Sequence, residues 1–396
     1  MRAAGDHRSP PSLRDMIPPE HLPPRRRSWP ASRGSLRRIL PHRVLGLTAA
    51  FTAAVGAAAE WPPDFAGFQA EISPAVVARL GASPRHYRQI EPSLYHLCAD
   101  HAGAFADLTA DERQSRVVRL AEFIDRMRAA TEDRVVIGPA RRIIGLLDPA
   151  RGLDPKEITA IATGYGARAE VFKQNPASET IPQVADRFLA AVAESAAGRE
   201  PTTVVVLGHG APEEIQSYSI PCGRLAAALL PPPGTTTGPV DLGRLTIVCD
   251  DCYSADFLIR LGTVVETMCR ERGLELVSLP VMIAGTNRDR VGHADFGEKF
   301  VPHFWKDVIE LFYVRRPRPE TVTLGDFFDK VDNMMYGYGR APIVEGAAVV
   351  GYRLVDPALC QDPVFFVPLS IPEAAALRSI LGLPDDAPLP RFLDIG

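Results

Sequence analysis

A chain of 396 residues, 46% apolar and 7% aromatic, holds enough material for the packed core of one large or two modest domains. Its net charge of -4 hides an asymmetry: the first 59 residues carry ten arginines against Asp6, Asp15 and Glu20, and the remainder holds 34 basic and 45 acidic residues, a net of -11. A body that acidic, with no basic patch interleaved with aromatics, repels nucleic acid and argues against a polyanion partner.

The arginine-rich leader runs into an uncharged stretch, Val44 to Ala59, that ends in small residues. A positive segment, an apolar run and an A-x-A-like site near Ala59 form the layout of a secretory signal, so residues 1–59 are expected to be a leader and the protein exported, to a periplasm or outside the cell. The long basic part leaves room for a start at Met16 or for a twin-arginine signal at Arg37-Arg38. The apolar run is shorter than the ~20 residues of a spanning helix. No stable membrane insertion is expected once the leader is gone; a short uncleaved anchor is the alternative. Six cysteines, Cys98, Cys222, Cys249, Cys252, Cys269 and Cys360, are too sparse for a disulfide framework.

Residues 60–131 read as a helical region, a prodomain or packing subdomain, with Val117, Val118, Leu120, Ala121, Ile124 and Met127 at helical spacing. Residues 132–355 alternate short apolar runs with amphipathic stretches, which predicts an α/β domain with a mostly parallel sheet flanked by helices. The predicted strands are 134–137, 169–172, 203–207, 245–249 and 280–284, with 347–354 at an edge. Helices are predicted over 182–194, 223–230, 255–272, 299–312 and 325–335. Residues 356–396 read as a C-terminal tail.

In an open α/β sheet the site lies in the loops at the carboxyl ends of the strands. The loop after 203–207 is Gly208-His209-Gly210, a histidine exposed between glycines that let the backbone approach a reacting carbonyl. The loop after 245–249 is Asp250-Asp251-Cys252-Tyr253-Ser254, directly before a helix whose amino end favours a thiolate. A cysteine and a histidine on successive strand ends make up the pair that nucleophilic acyl transfer requires.

Gly208-His209-Gly210 is similar to the catalytic His-Gly of the caspase-like clan of cysteine peptidases. Asp250-Asp251-Cys252-Tyr253-Ser254-Ala255 resembles the metacaspase D-x-C-[HY]-S-G box. Ala284-Gly285-Thr286-Asn287-Arg288-Asp289 resembles the segment lining the primary specificity pocket in metacaspases and legumains. The three loops fall in the clan's chain order and span about residues 131–355. The resemblance implies a caspase-like fold and a cysteine endopeptidase acting on peptide or protein substrates without a cofactor. It makes Cys252 the nucleophile and His209 its acid and base, with the N–H groups of Gly210 and Cys252 as the oxyanion hole. It further implies substrate binding by Asp250, Thr286 and Asn287, with Arg or Lys before the cut. Ala255 stands where the clan has glycine, and the second pocket aspartate that metacaspases place after the first strand has no counterpart among the predicted loops.

Two other readings stand beside this one. Cys249 and Cys252 form a C-x-x-C before a helix, a thiol–disulfide oxidoreductase pattern, although Cys249 ends an apolar strand and reads as core. A non-catalytic scaffold of the same fold is the other. His209, Asp250, Asp251, Cys252, His293 and Asp295 fit no compact zinc spacing. Asp251 reads as solvent-facing, and Asp289, His293 and Asp295 as solvated loop residues.

Overall fold

The structure, a computed structural model, describes residues 61–288 apart from short stretches such as 150–154 and 163–166, the strand segments 322–323, 340–345 and 348–354, and 364–395 apart from a few residues. The leader and the predicted helices 299–312 and 325–335 lie outside the described residues, as do Asp289, His293, Asp295 and Cys360.

Seven strands form the central sheet: β1 (Arg142–Leu147), β2 (Arg168–Phe172), β3 (Thr202–Leu207), β4 (Leu245–Asp250), β5 (Val281–Ala284), β6 (Val364–Pro368) and β7 (Phe392–Asp394). Their order across the sheet is β7-β6-β5-β4-β3-β1-β2. The five strands from β2 to β5 are parallel, while β6 and β7 run antiparallel to their neighbours. The fold is therefore α/β with a mostly parallel sheet, as the alternating pattern predicts.

Side chains alternate across the sheet with the strand period of two. Ile143, Leu147, Val205, Leu207, Val248 and Ile283 enter one core, packed by α1 (Phe65–Glu71), α2 (Ser73–Leu80), α3 (Pro84–Asp100), α4 (Ala110–Glu132) and α8 (Ile371–Leu381). Ile144, Leu146, Val204, Val206, Ile247 and Met282 enter the other, against α5 (Ile181–Ala197), α6 (Cys222–Leu229) and α7 (Ser254–Glu271). Buried on both faces, β1, β3 and β4 need continuous apolar runs, which is how they are written. Thr180 and Gln183 form a capping box that starts α5 at the predicted place.

The chain departs from the predicted elements at both ends of the domain. The run at 134–137 gives only the short strand Val136–Gly138, which pairs with Val322–Thr323 outside the main sheet. The first sheet strand is instead β1, eight residues later. Ala348–Leu354 is no sheet edge; it forms a separate hairpin with Arg340–Glu345. The segment read as a C-terminal tail supplies β6, α8 and β7. The N-terminal helices are a layer of the same core and are tied to that segment: Arg116 Nη1 donates to Leu381 O at 3.0 Å, Arg128 Nη1 to Ile395 O at 3.1 Å, and Ser93 Oγ to Asp394. Among the described residues no helix is long and apolar enough to cross a membrane.

Candidate active site

The order β2-β1-β3-β4-β5 reverses between β1 and β3, and in doubly wound sheets the crevice at that reversal, beyond the carboxyl ends, is where ligands bind. Register then decides which side chains meet there. Leu147 pairs with Leu207, Leu207 with Asp250, and Cys249 with Ala284. His209 and Cys252 consequently stand the same number of residues beyond paired positions on neighbouring strands, which lie about 4.8 Å apart. Asp148 stands one residue past the end of β1, level with Gly208.

The thiol sits on a tightly held turn. Tyr253 adopts a left-handed backbone, φ 57° and ψ 26°, as the residue before α7, a conformation that costs a non-glycine residue on the order of 1 kcal/mol and needs support from its surroundings. Thr286 gives that support. Its hydroxyl donates to Asp251 O at 2.9 Å and accepts from Ser254 N–H at 3.1 Å; its own N–H donates to Ser254 Oγ at 3.0 Å, and its carbonyl accepts from Ala255 N–H at 3.1 Å. The first donors of α7 are satisfied across the loop from β5, and Cys252 is held just outside them. Of the described cysteines, Cys98, Cys222, Cys249 and Cys269 are buried and Cys252 is half-buried. Burial raises the thiol pKa of Cys249 well above its ordinary value and pushes that of Cys222 up to about 12. Cys252 is thus partly open to solvent, while Cys249 belongs to the core.

On the histidine side, the His209 ring is 52% exposed and its Nε2 lies 3.9 Å from Oδ2 of Asp148, whose side chain is 2% exposed. That is an ion-pair distance once the imidazole is protonated. Ser217 Oγ donates to Asp148 Oδ2 at 2.7 Å and accepts from His209 N–H at 2.9 Å. Two glycines make the close approach possible. A Cβ at Gly208 would lie 2.8 Å from Ser217 Oγ, and one at Gly210 would lie 2.4 Å from both Cγ and Oδ2 of Asp251.

The sequence-derived site residues thus fall into two groups. His209, Gly210 and Cys252 follow the carboxyl ends of the paired strands β3 and β4, and Asp250 is the last residue of β4. Thr286 is 0% exposed and its hydrogen-bonding groups are spent on the loop that carries Cys252, so it holds that loop and does not line an open pocket. Asn287 is also buried, its Oδ1 accepting from Arg288 N–H at 2.7 Å. Asp251 does not face solvent: at 2% exposed it packs its carboxyl group against the main chain of Gly210. The carboxylate of Asp250 is buried against Gly285, where a Cβ would come within 2.7 Å of Oδ1. Asp148 and Ser217 were not among the sequence candidates. The signal for Asp148 was an apolar run, Arg142–Leu147, ending at an aspartate; Ser217 carries no sequence signal.

Arg288 follows this loop and binds Asp100 at the end of α3, Nη1 to Oδ1 at 2.9 Å and to Oδ2 at 2.7 Å. The neighbouring His101 has its pKa lowered, chiefly by burial. Among the described residues no three His, Cys, Asp or Glu side chains are grouped so as to hold a metal. A cavity of about 700 Å³ lies at the opposite, amino-terminal end of β3 and β4, between the ends of α5 and α6. Its Arg244 is tied to the carbonyls of Ala196 and Asp241, and among the described residues no cysteine or histidine lines it.

No family model matches the chain, and a search of curated proteins finds no significant match to it.

Proposed function

We propose that the chain is a cysteine endopeptidase of caspase-like fold, with Cys252 as nucleophile and His209 as its base. The observation that carries this reading is the parallel register of β3 and β4, with an exposed histidine and the one unburied described cysteine at equal steps beyond it. The buried thiol of Cys249 weighs against a dithiol redox pair, since the attacking species in such exchange is an accessible thiolate.

With Nε2 of His209 turned toward Asp148, Nδ1 is the nitrogen that exchanges a proton with the thiol. The Cys252 proton passes to the imidazole, and the thiolate attacks the scissile carbonyl carbon. The carbonyl oxygen becomes an oxyanion held by the N–H groups of Gly210 and Cys252. As the tetrahedral intermediate collapses, the C–N bond breaks and the amine leaves with the imidazolium proton. A thioester remains. His209 then takes a proton from water, the hydroxide attacks the thioester, and the thiol is restored with release of the acid. Asp148 stabilises the imidazolium at each stage by its charge.

The implied preference is for Arg or Lys before the cut. Asp250 is the acid that the resemblance assigns to the pocket. A carboxylate at the pocket favours a cationic side chain and disfavours an acidic one. The test is digestion of a peptide library by the full chain with Cys252→Ala as control. Cleavage after basic residues supports the reading; cleavage unchanged in Cys252→Ala rejects it. The arginine leader and alanine-rich run further support export, for which an amino terminus near residue 60 on the exported protein is the check and an intact leader the contrary result.

A further inference from the structure

We propose that Ser217 is the positioning residue for the histidine, one hydroxyl joining the main chain of His209 to the buried carboxylate of Asp148. The inference rests on the reading of Cys252 and His209 as a catalytic pair and goes beyond it. A main-chain N–H can only donate and a carboxylate can only accept, so the two can be brought to a common partner through a group that does both. The Ser217 hydroxyl accepts from His209 N–H at 2.9 Å and gives its single proton to Asp148 Oδ2 at 2.7 Å. The Ser217 N–H completes the hold by donating to His209 O at 3.1 Å. Both main-chain polar groups of the histidine are thereby fixed by one residue eight positions away.

Independent features show that this is a built arrangement. Gly208 has no Cβ, and one there would stand 2.8 Å from Ser217 Oγ and 3.2 Å from Asp148 Cβ. Ser217 rides in a braced hairpin: Glu214–Ile215 pairs with Ile220–Pro221, and Cys222 N–H donates to Glu213 O at 2.9 Å. The adjacent Tyr218 hydroxyl donates to Leu147 O at 2.6 Å and accepts from Gln174 N–H at 3.1 Å, which ties the hairpin to the ends of β1 and β2. The serine is therefore held against the same strand that carries Asp148. The imidazole itself stays half exposed, so the histidine is fixed at its main chain while its ring can serve both halves of the reaction.

The test compares full-length wild type, Ser217→Ala, Ser217→Thr and His209→Ala. It measures the rate of alkylation of Cys252 by iodoacetamide at pH 7, with Cys252→Ala as background, and turnover of an Arg peptide ester resolved into kcat and KM. Misplacing a catalytic group by about 1 Å costs on the order of 100-fold. Ser217→Ala should lower kcat by about 10- to 100-fold with KM little changed and slow alkylation in parallel. Ser217→Thr, which keeps the hydroxyl, should stay within a few fold of wild type. Slow alkylation in His209→Ala combined with wild-type rates in Ser217→Ala would overturn the positioning role and leave the catalytic pair standing. A Ser217→Thr protein that melts like wild type yet is as slow as Ser217→Ala would also overturn it. Wild-type alkylation and turnover in His209→Ala would remove the catalytic pair and this inference with it.

Discussion

Gly210 is the position at which a single methyl group should do most damage. A Cβ there would lie 2.4 Å from both Cγ and Oδ2 of Asp251 and 2.9 Å from Oδ1, against an ordinary contact near 3.5 Å, so one side must retreat by about 1 Å. Asp251 has little room to do so: its side chain is buried, and its main chain is held by the Thr286 hydroxyl, which donates to Asp251 O at 2.9 Å. The loop carrying His209 and the Gly210 N–H must move instead. Overpacking of this kind costs about 1–3 kcal/mol, and a shift of that size at reacting groups costs on the order of 100-fold in rate. Gly210→Ala should therefore lose about 1–3 kcal/mol in urea denaturation and fall about 100-fold in peptide turnover. Asp251→Ala removes the colliding atoms, so the double variant should be more stable than the sum of the two singles by about 1 kcal/mol or more. Wild-type stability and turnover in Gly210→Ala, or strictly additive singles, would refute the close approach of these two loops.

Two further outcomes follow from charge and burial. Asp250→Asn should slow cleavage after Arg or Lys by about 10- to 100-fold, since a charge-assisted pair is worth about 1.5–3 kcal/mol; neutral peptides should change far less, and equal losses on all peptides would assign Asp250 to loop structure alone. Glu266 on α7 has its pKa raised from 4.5 to about 7, chiefly by burial and against the opposing charges of Arg391 and Arg270. A carboxyl group raised in the folded state stabilises while protonated and loses that contribution as pH climbs from about 4.5 through 7. With the side chain 30% exposed, screening cuts the effect to about 1 kcal/mol. Glu266→Gln should accordingly be more stable than wild type at pH 8 by about that amount and equal to it or weaker at pH 4, measured by thermal melting; a gain confined to low pH would contradict the sign.

The sheet interior was legible because its strands are written without alternation. Thr202–Leu207, Leu245–Asp250 and Val281–Ala284 are short apolar runs next to glycine, aspartate or proline, and the helices after the first two, α6 and α7, start near their predicted positions. β1 was missed for a physical reason. Its run contains Gly145 and follows a nearby stretch, Val135-Val136-Ile137, of stronger β propensity. Tertiary context decided between them, since β1 is buried on both faces between β2 and β3. Missing β1 hid Asp148. Asp251 was misread because an aspartate in a loop is exposed by default, and its burial depends on a glycine 41 residues earlier that no local pattern links to it. Thr286 lies in a loop that the sequence singles out, but the direction of its hydroxyl, toward the turn that carries Cys252, depends on the pairing of β5 with β4. The same holds for the C-terminal strands: Val364–Pro368 has high strand propensity, and only its antiparallel pairing with β5 shows that it belongs to the sheet.

The central claim is that Cys252 and His209 act as one unit on a peptide bond. Its most direct test is cleavage of an Arg-containing peptide by the full chain, compared with Cys252→Ala and His209→Ala at matched thermal stability. Removing either member of a unit costs nearly as much as removing both, so each single variant should fall to background and the double variant no lower. Undiminished cleavage by either one would contradict the account.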